Sequence, residues 1–223
     1  MLKAVQILDS TLRDGAQGEG ISFSVQDKLK ILKTLDNLGI SLVEAGNPGS
    51  NPKDLEFFRQ AANLELAHAR LAAFGSTRRK GIAVSEDANV RSLLEARTPV
   101  VVIFGKSWDF HVTEIIKATK QENLDMIRDT IAFFKEQGKE VIFDAEHFYD
   151  GYKSDPEYAC SCLEAAAEGG AEVLVLCETN GGCLPMEVRT ITSEVIARFP
   201  DCVFGIHCHN DSGMGEANSI MGI

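Results

Sequence analysis

Short apolar runs rich in β-branched residues alternate along the chain with longer stretches of helical periodicity. The runs begin near Ala4 (AVQILDS), Ser41 (SLVEAG), Arg70 (RLAAFGS), Val100 (VVVIFGK), Glu140 (EVIFDAE), Ala171 (AEVLVLCE) and Cys202 (CVFGIHCH). One therefore recurs every ~30–40 residues. Between them, residues 26–38 set Leu29, Leu32, Leu35 and Leu38 along one side, and residues 124–137 set Ile127, Ile131 and Phe134 on one face. Residues 158–168 are alanine-rich, and residues 187–199 carry Val188, Ile191, Val195 and Phe199 at helical spacing. Gly39, Gly138 and the pair Gly169-Gly170 stand where three of these helices stop.

A strand–helix repeat of this length predicts βα units and a parallel sheet. VVVIF and EVLVL are apolar on both faces, as strands covered on both sides are. A (β/α)8 barrel and an open doubly wound sheet both satisfy that pattern. No GxGxxG follows the first run, which counts against the dinucleotide-binding form of the open sheet. Polar residues gather instead at the C-terminal end of nearly every predicted strand: Arg13-Asp14, Glu44, Ser76-Thr77, Lys106-Ser107, Glu146, Glu178-Thr179, and His207 with His209. Chemistry drawn from many strand ends is what a barrel offers. The predicted fold is α/β, a TIM (β/α)8-type barrel. Such a barrel takes about 250 residues, and a seventh helix is just opening at residues 215–223. The expectation is one catalytic barrel domain over 1–223, truncated after strand 7, with its eighth βα unit and any C-terminal regulatory domain outside this chain.

Composition narrows the function classes. The 223 residues are 44% hydrophobic and 25% charged, enough apolar content for a large core without disulfides. The formal net charge of −11 argues against general nucleic-acid binding, which needs a basic footprint. No apolar run approaches ~18 residues, so no membrane span is expected. The N-terminus lacks the apolar core of a signal peptide. The six cysteines form no CxxC pair and are expected as reduced thiols in the cytoplasm.

The strongest local signal is Ile206-His207-Cys208-His209-Asn210-Asp211. Residues i and i+2 of a strand share a face, so both imidazoles point one way and make half of a metal site, while Cys208 points away. The second is Asp9-Ser10-Thr11-Leu12-Arg13-Asp14-Gly15-Ala16-Gln17. Asp14 could complete a two-His, one-carboxylate set, and Arg13 would place a cation where an oxyanion forms. Read blandly, the segment is a turn with a surface Arg–Asp pair. Glu44 and Glu146 are each either a base or half of a salt bridge at the mouth. Thr179 and Asn180 either hold a substrate carboxylate or form a turn. Arg78-Arg79-Lys80 is either a solvated charge run or a patch for an anionic cofactor such as coenzyme A.

D-S-T-L-R-D-G-A-Q with a later H-C-H-N-D resembles the DRE-TIM metallolyases, metal-dependent enzymes that make or break carbon–carbon bonds at acyl-CoA substrates. NPGSNPKDLEFF, AAFGSTRRKG, VVVIFGKSWDFHVTE, VIFDAEHFYDGYK, LCETNGGCLP and GIHCHNDSGMGEANS are most similar to the branch that condenses acetyl-CoA with pyruvate, and the similarity spans the chain. The resemblance implies a Claisen-type acyltransferase of branched-chain amino acid (isoleucine) biosynthesis, giving citramalate and CoA. Asp14, His207 and His209 would bind a divalent Mg, Mn or Zn ion. Arg13 would steady the developing oxyanion. Glu44 and Glu146 match acidic residues of strands 2 and 5, the latter linked with deprotonation. Thr179 would hold the 2-oxo acid, supported by Gln17 and His111, and the full-length protein would be a homodimer. Asn47, where an aromatic residue is expected, and Glu178, in place of an aspartate, depart from the pattern. The alternatives are a synthase using another 2-oxo acid (2-isopropylmalate or homocitrate synthase), an HMG-CoA-lyase-like carbon–carbon lyase, or a barrel remnant without catalysis.

Overall fold

The computed structural model describes residues 5–223. Its strands are β1 (Leu8–Asp9), β2 (Leu42–Glu44), β3 (Arg70–Ser76), β4 (Val100–Lys106), β5 (Glu140–Glu146), β6 (Val173–Glu178) and β7 (Phe204–Cys208). Its helices are α1 (Val25–Leu38), α2 (Pro52–Ala61), α3 (Ala88–Glu95), α4 (Lys120–Glu136), α5 (Phe148–Ser154), α6 (Pro156–Gly169), α7 (Pro185–Arg198) and α8 (Gly215–Met221). The strand order is β1-β2-β3-β4-β5-β6-β7, the sequential connectivity of a (β/α)8-type barrel. No helix among the described residues is long and apolar enough to cross a membrane.

The chain divides into two compact units. The first takes the described residues up to Ser76 together with Ser85–Val102, and the second takes Thr77–Val84 and Ile103–Ile223. In the first, β1, β2 and β3 pair in parallel, with Leu8 opposite Leu42 and Leu42 opposite Arg70. Leu32, Val43, Phe57, Ala72, Val90 and Leu93 are fully buried in its core. In the second, β5, β6 and β7 pair in parallel, and Ile127, Ile131, Phe134, Leu163 and Val188 bury the inner faces of the helices.

Local chemistry sets the ends of these elements. Ser24 and Asp27 form a reciprocal capping box at the start of α1. The helix ends at Gly39, whose φ of 86° is the left-handed conformation that glycine takes without strain. Asn51 and Asp155 cap α2 and α6, each followed by a proline at the first helical position.

Three sequence expectations are corrected. Strand 1 shrinks to two residues, because Val5 and Ile7 are more than half exposed and only Leu8 and Asp9 join the ladder; Ala4 lies outside the described residues. Leu38 does not extend the apolar side of α1, for the helix turns it out to 74% exposure. His209 lies one residue beyond β7. Helices α2, α3 and α5, of 10, 8 and 7 residues, were not among the helical stretches read from periodicity.

Two buried polar groups tie the first unit together. The Asp36 carboxylate on α1 accepts from the backbone N–H groups of Ala67 (2.9 Å), His68 (2.7 Å) and Ala69 (2.7 Å), pinning the loop that feeds β3. Those hydrogen bonds hold its pKa below the ordinary aspartate value. The buried Lys28 ammonium pairs with Asp54 and donates to the Ala45 carbonyl at 2.8 Å, while Asp54 accepts from the Asn47 N–H at 2.9 Å. Gly46 lies against this pair, and a Cβ there would stand 2.5 Å from the Asp54 carboxyl.

Two outcomes are expected. Asp54→Ala leaves the Lys28 charge buried and unpaired, so urea denaturation should register a loss of about 3–5 kcal/mol. The stabilisation by Asp36 is present above the unfolded aspartate pKa and is lost as pH falls through the depressed folded value. The denaturation midpoints of wild type and Asp36→Asn should therefore differ at pH 7, begin to approach one another at about pH 4 and meet only below the depressed folded value.

Candidate active site

In the first unit, the chain turns sharply after β1. The N–H groups of Arg13 (3.1 Å), Asp14 (2.9 Å) and Gly15 (3.1 Å) all converge on the Ser10 carbonyl. The turn presents Arg13 to Glu44 at the end of β2. Arg13 Nε donates to Glu44 Oε2 at 2.5 Å and Nη1 to Asp14 Oδ1 at 2.8 Å, while Ser10 Oγ donates to the same Glu44 oxygen at 2.9 Å. The guanidinium carbon lies 3.9 Å from the centre of the Phe74 ring. Glu44 is 1% exposed, so of its two sequence readings the salt bridge is the one observed: it anchors Arg13. Gln17 lies in the 3-10 turn Gly15–Gln17 and, with Arg13, Asn47, Asp54 and Phe74, lines a cleft of about 220 Å³. Asn47 is spent on structure. Its Oδ1 accepts from the N–H groups of Gly49 (3.1 Å) and Ser50 (3.2 Å), shaping the turn into α2.

In the second unit, register decides what faces what. Asp144 stands opposite Val175, Val175 opposite Gly205, and Cys177 opposite His207. With a side-chain period of two, Asp144 and Glu146 of β5, Cys177 of β6 with Thr179 just beyond it, and His207 of β7 with His209 all belong to one face. The His207 and His209 rings are 5.2 Å apart. Asp144, Cys177 and His207 each offer a donor atom within 4.8 Å of the others, and Asp144 and Cys177 are each 7% exposed. Glu178 points to the opposite face, where its Oε1 accepts from the Gly182 N–H at 3.1 Å. That departure from the expected aspartate therefore faces away from the chemistry. Cys208 also faces away, and burial pushes its thiol up to about 11.

Around the end of β5 lies a cluster only part of which the sequence singled out. Lys106 pairs with Glu146. Thr179 Oγ1 accepts from the His147 N–H at 2.9 Å. His147 has a φ of 55°, in the left-handed region, and its Nδ1 is 3.0 Å from Asp150 Oδ2, which also accepts from Asn180 Nδ2 at 2.7 Å. The His111 ring packs against Trp108 (4.8 Å between centroids) and His147 (4.5 Å), and its Nδ1 is buried without a hydrogen-bond partner. Burial first, then the nearby His147 and Lys106, push His111 below its usual range, so it is neutral near pH 7. His147, Asp150, Trp108, Asp144 and Cys177 were missed. The strand-end rule that flagged Glu146 would have reached its neighbour His147.

Arg78 corrects the reading of a basic patch. It is 7% exposed, donates to Asp129 from Nε (3.0 Å) and Nη2 (2.8 Å), and donates to Glu122 from Nη1 at 3.0 Å. Its donors are committed to α4, so it is not a surface charge for coenzyme A. Arg79 and Lys80 remain exposed.

Comparison with known proteins agrees with this architecture. The HMGL-like family profile matches residues 4–223. The chain is 56% identical to the (R)-citramalate synthase of Aquifex aeolicus, over 100% of this chain and 42% of that protein. It is 49% identical to the (R)-citramalate synthase of Sulfolobus acidocaldarius, over 99% and 42%. A homocitrate synthase of Saccharolobus islandicus is 32% identical, over 98% and 46%. The chain thus spans about two-fifths of the length of the curated relatives most similar to it. Among solved structures, the Bacillus subtilis HMG-CoA lyase superposes with a TM-score of 0.79 at 21% identity, covering 99% of this chain and 73% of that one, a likeness of fold. Matched by the family profile from residue 4 to residue 223 and carrying the expected βα order, the chain belongs to the HMGL-like family.

Proposed function

We propose that this chain carries a metal-dependent, Claisen-type acyl transfer that condenses acetyl-CoA with pyruvate to give (R)-citramalate and CoA. One observation carries the reading: Glu146, Thr179, His207 and His209 share a single sheet face in the second unit, in a chain 56% identical to an (R)-citramalate synthase. We assign Asp14, His207 and His209 as ligands of a divalent metal (Mg, Mn or Zn). The donor chemistry fits, since one carboxylate and two imidazoles suit such ions and the two histidines stand two residues apart on one face. When bound, the ion supplies Lewis-acid polarisation of the 2-oxo carbonyl.

The chain's own groups divide the remaining work. Arg13, held by Glu44 and Phe74, presents a fixed cation to the substrate oxygen that becomes negative, and needs no reorganisation to do so. Thr179 Oγ1 accepts from the His147 N–H, which leaves the hydroxyl proton to donate to the 2-oxo acid carboxylate. Lys106 sits on Glu146 Oε2, so the other oxygen is the one to take a methyl proton from the acetyl group. Gln17 and neutral His111 support the substrate as polar and flat surfaces. Arg79 and Lys80, both exposed, are assigned to meet the CoA phosphates. We place this chemistry in the cytoplasm and in a homodimer of the full-length protein. Use of 2-oxoglutarate instead is the second reading, favoured by the 32% identity to a homocitrate synthase.

Free-CoA release by the full-length protein decides between them. Pyruvate should support turnover well above 2-oxoisovalerate or 2-oxoglutarate, and a preference for either of the latter overturns the assignment. Glu146→Gln should lower kcat by about 10²–10⁴-fold while metal affinity measured by calorimetry stays the same. Unchanged turnover would remove Glu146 from the proton transfer.

A further inference from the structure

We infer that Asp144, Cys177 and His207 form a second cation site, one selective for thiophilic divalent ions such as zinc or cadmium. Parallel pairing sets Cys177 directly opposite His207, and the same register brings Asp144 to their face from β5. The three donor atoms lie within 4.8 Å of one another. Donors on one tetrahedral zinc stand about 3.3–3.6 Å apart, so the three side chains need to draw together by at most roughly 1.5 Å. Asp144 and Cys177 are each 7% exposed, which shelters the pair from competing water.

The donor set determines which ions enter. Carboxylate, thiolate and imidazole together suit zinc, cadmium or cobalt, whereas magnesium takes oxygen ligands and has no use for sulfur. As the metal–sulfur bond forms, the Cys177 thiol gives up its proton to solvent and binds as the thiolate. Three protein ligands leave a fourth position for water. His207 belongs both to this set and to the one proposed with Asp14 and His209. On that reading, filling the thiophilic site withdraws His207 from the other, so any ion seated at Cys177 inhibits, whichever of Mg, Mn or Zn activates at the other set.

The test is spectroscopic and independent of turnover. The metal-free protein is titrated with cobalt(II) chloride, and thiolate-to-cobalt charge transfer is followed in the near ultraviolet. The expected result is a saturable band at one cobalt per chain. It should be absent in Cys177→Ser and in His207→Asn, and should need at least ~10-fold more cobalt in Asp144→Asn. It should persist in Asp14→Asn and His209→Asn, which disrupt only the other set. Cys177→Ala, checked by circular dichroism, replaces Cys177→Ser if the serine variant does not fold. No band in the wild type, a band surviving the loss of Cys177, or a band lost with Asp14 overturns the site. None of these results touches the choice of 2-oxo acid, which the CoA-release assay reads separately.

Discussion

The parallel ladder joining β5, β6 and β7 sets the height and the face of the side chains that the second unit's sheet offers to chemistry. Cys177 meets His207 because their Cα atoms are partners, and Asp144 shares their face because it pairs with Val175, two residues before Cys177. One period further along stand Glu146, Thr179 and His209. A slip of one residue would present Glu178 and Cys208 in place of Cys177 and His207. The register is held from the other face, where Leu174 and Leu176 are buried against the helices. Hydrophobic packing on one side of the sheet thus specifies the polar constellation on the other.

Two arginines show how the same physics serves two ends. Arg78 is buried and Arg13 nearly so, each with carboxylate partners, as a guanidinium drawn out of solvent must have. Arg78 spends its donors on Asp129 and Glu122, tying the segment after β3 to α4. Arg13 lies in the turn after β1, beside Asp14, with its guanidinium carbon 3.9 Å from the centre of the Phe74 ring. Buried ion pairs contribute little net stability against an apolar replacement, yet they orient a planar cation closely. For Arg13 the orientation is supplied by Glu44 and Asp14.

His147 is one of two non-glycine residues of the second unit with a left-handed backbone, the other being Lys117. A non-glycine residue in the left-handed region costs about 1–2 kcal/mol. Here the conformation is held by Thr179 at the backbone, by Asp150 at the ring, itself held by Asn180, and by packing against His111. Such over-determined strain belongs at sites where position matters more than stability. It sets the imidazole beside Asp150, Trp108 and His111, whose own Nδ1 is buried without a hydrogen-bond partner.

The alternation of β-branched runs with helical stretches determined the βα order, and Gly39, Gly138 and Gly170 marked helix ends that the structure keeps. Strand-end polarity likewise singled out Arg13, Asp14, Glu146, Thr179, His207 and His209, because a parallel strand delivers its last residues to one rim whatever its neighbours are. Tertiary structure alone decided that strand 1 keeps only Leu8 and Asp9, that Glu44 is an anchor, that Asn47 is spent on a turn, and that Arg78 is interior. It alone brought Asp144 and Cys177 to His207. Periodicity and capping act within a dozen residues and are written into the local sequence. Pairing register, burial and ion-pair partners join segments roughly thirty or more residues apart, and only the closing of the sheet and its helices chooses among the partners each side chain could have met.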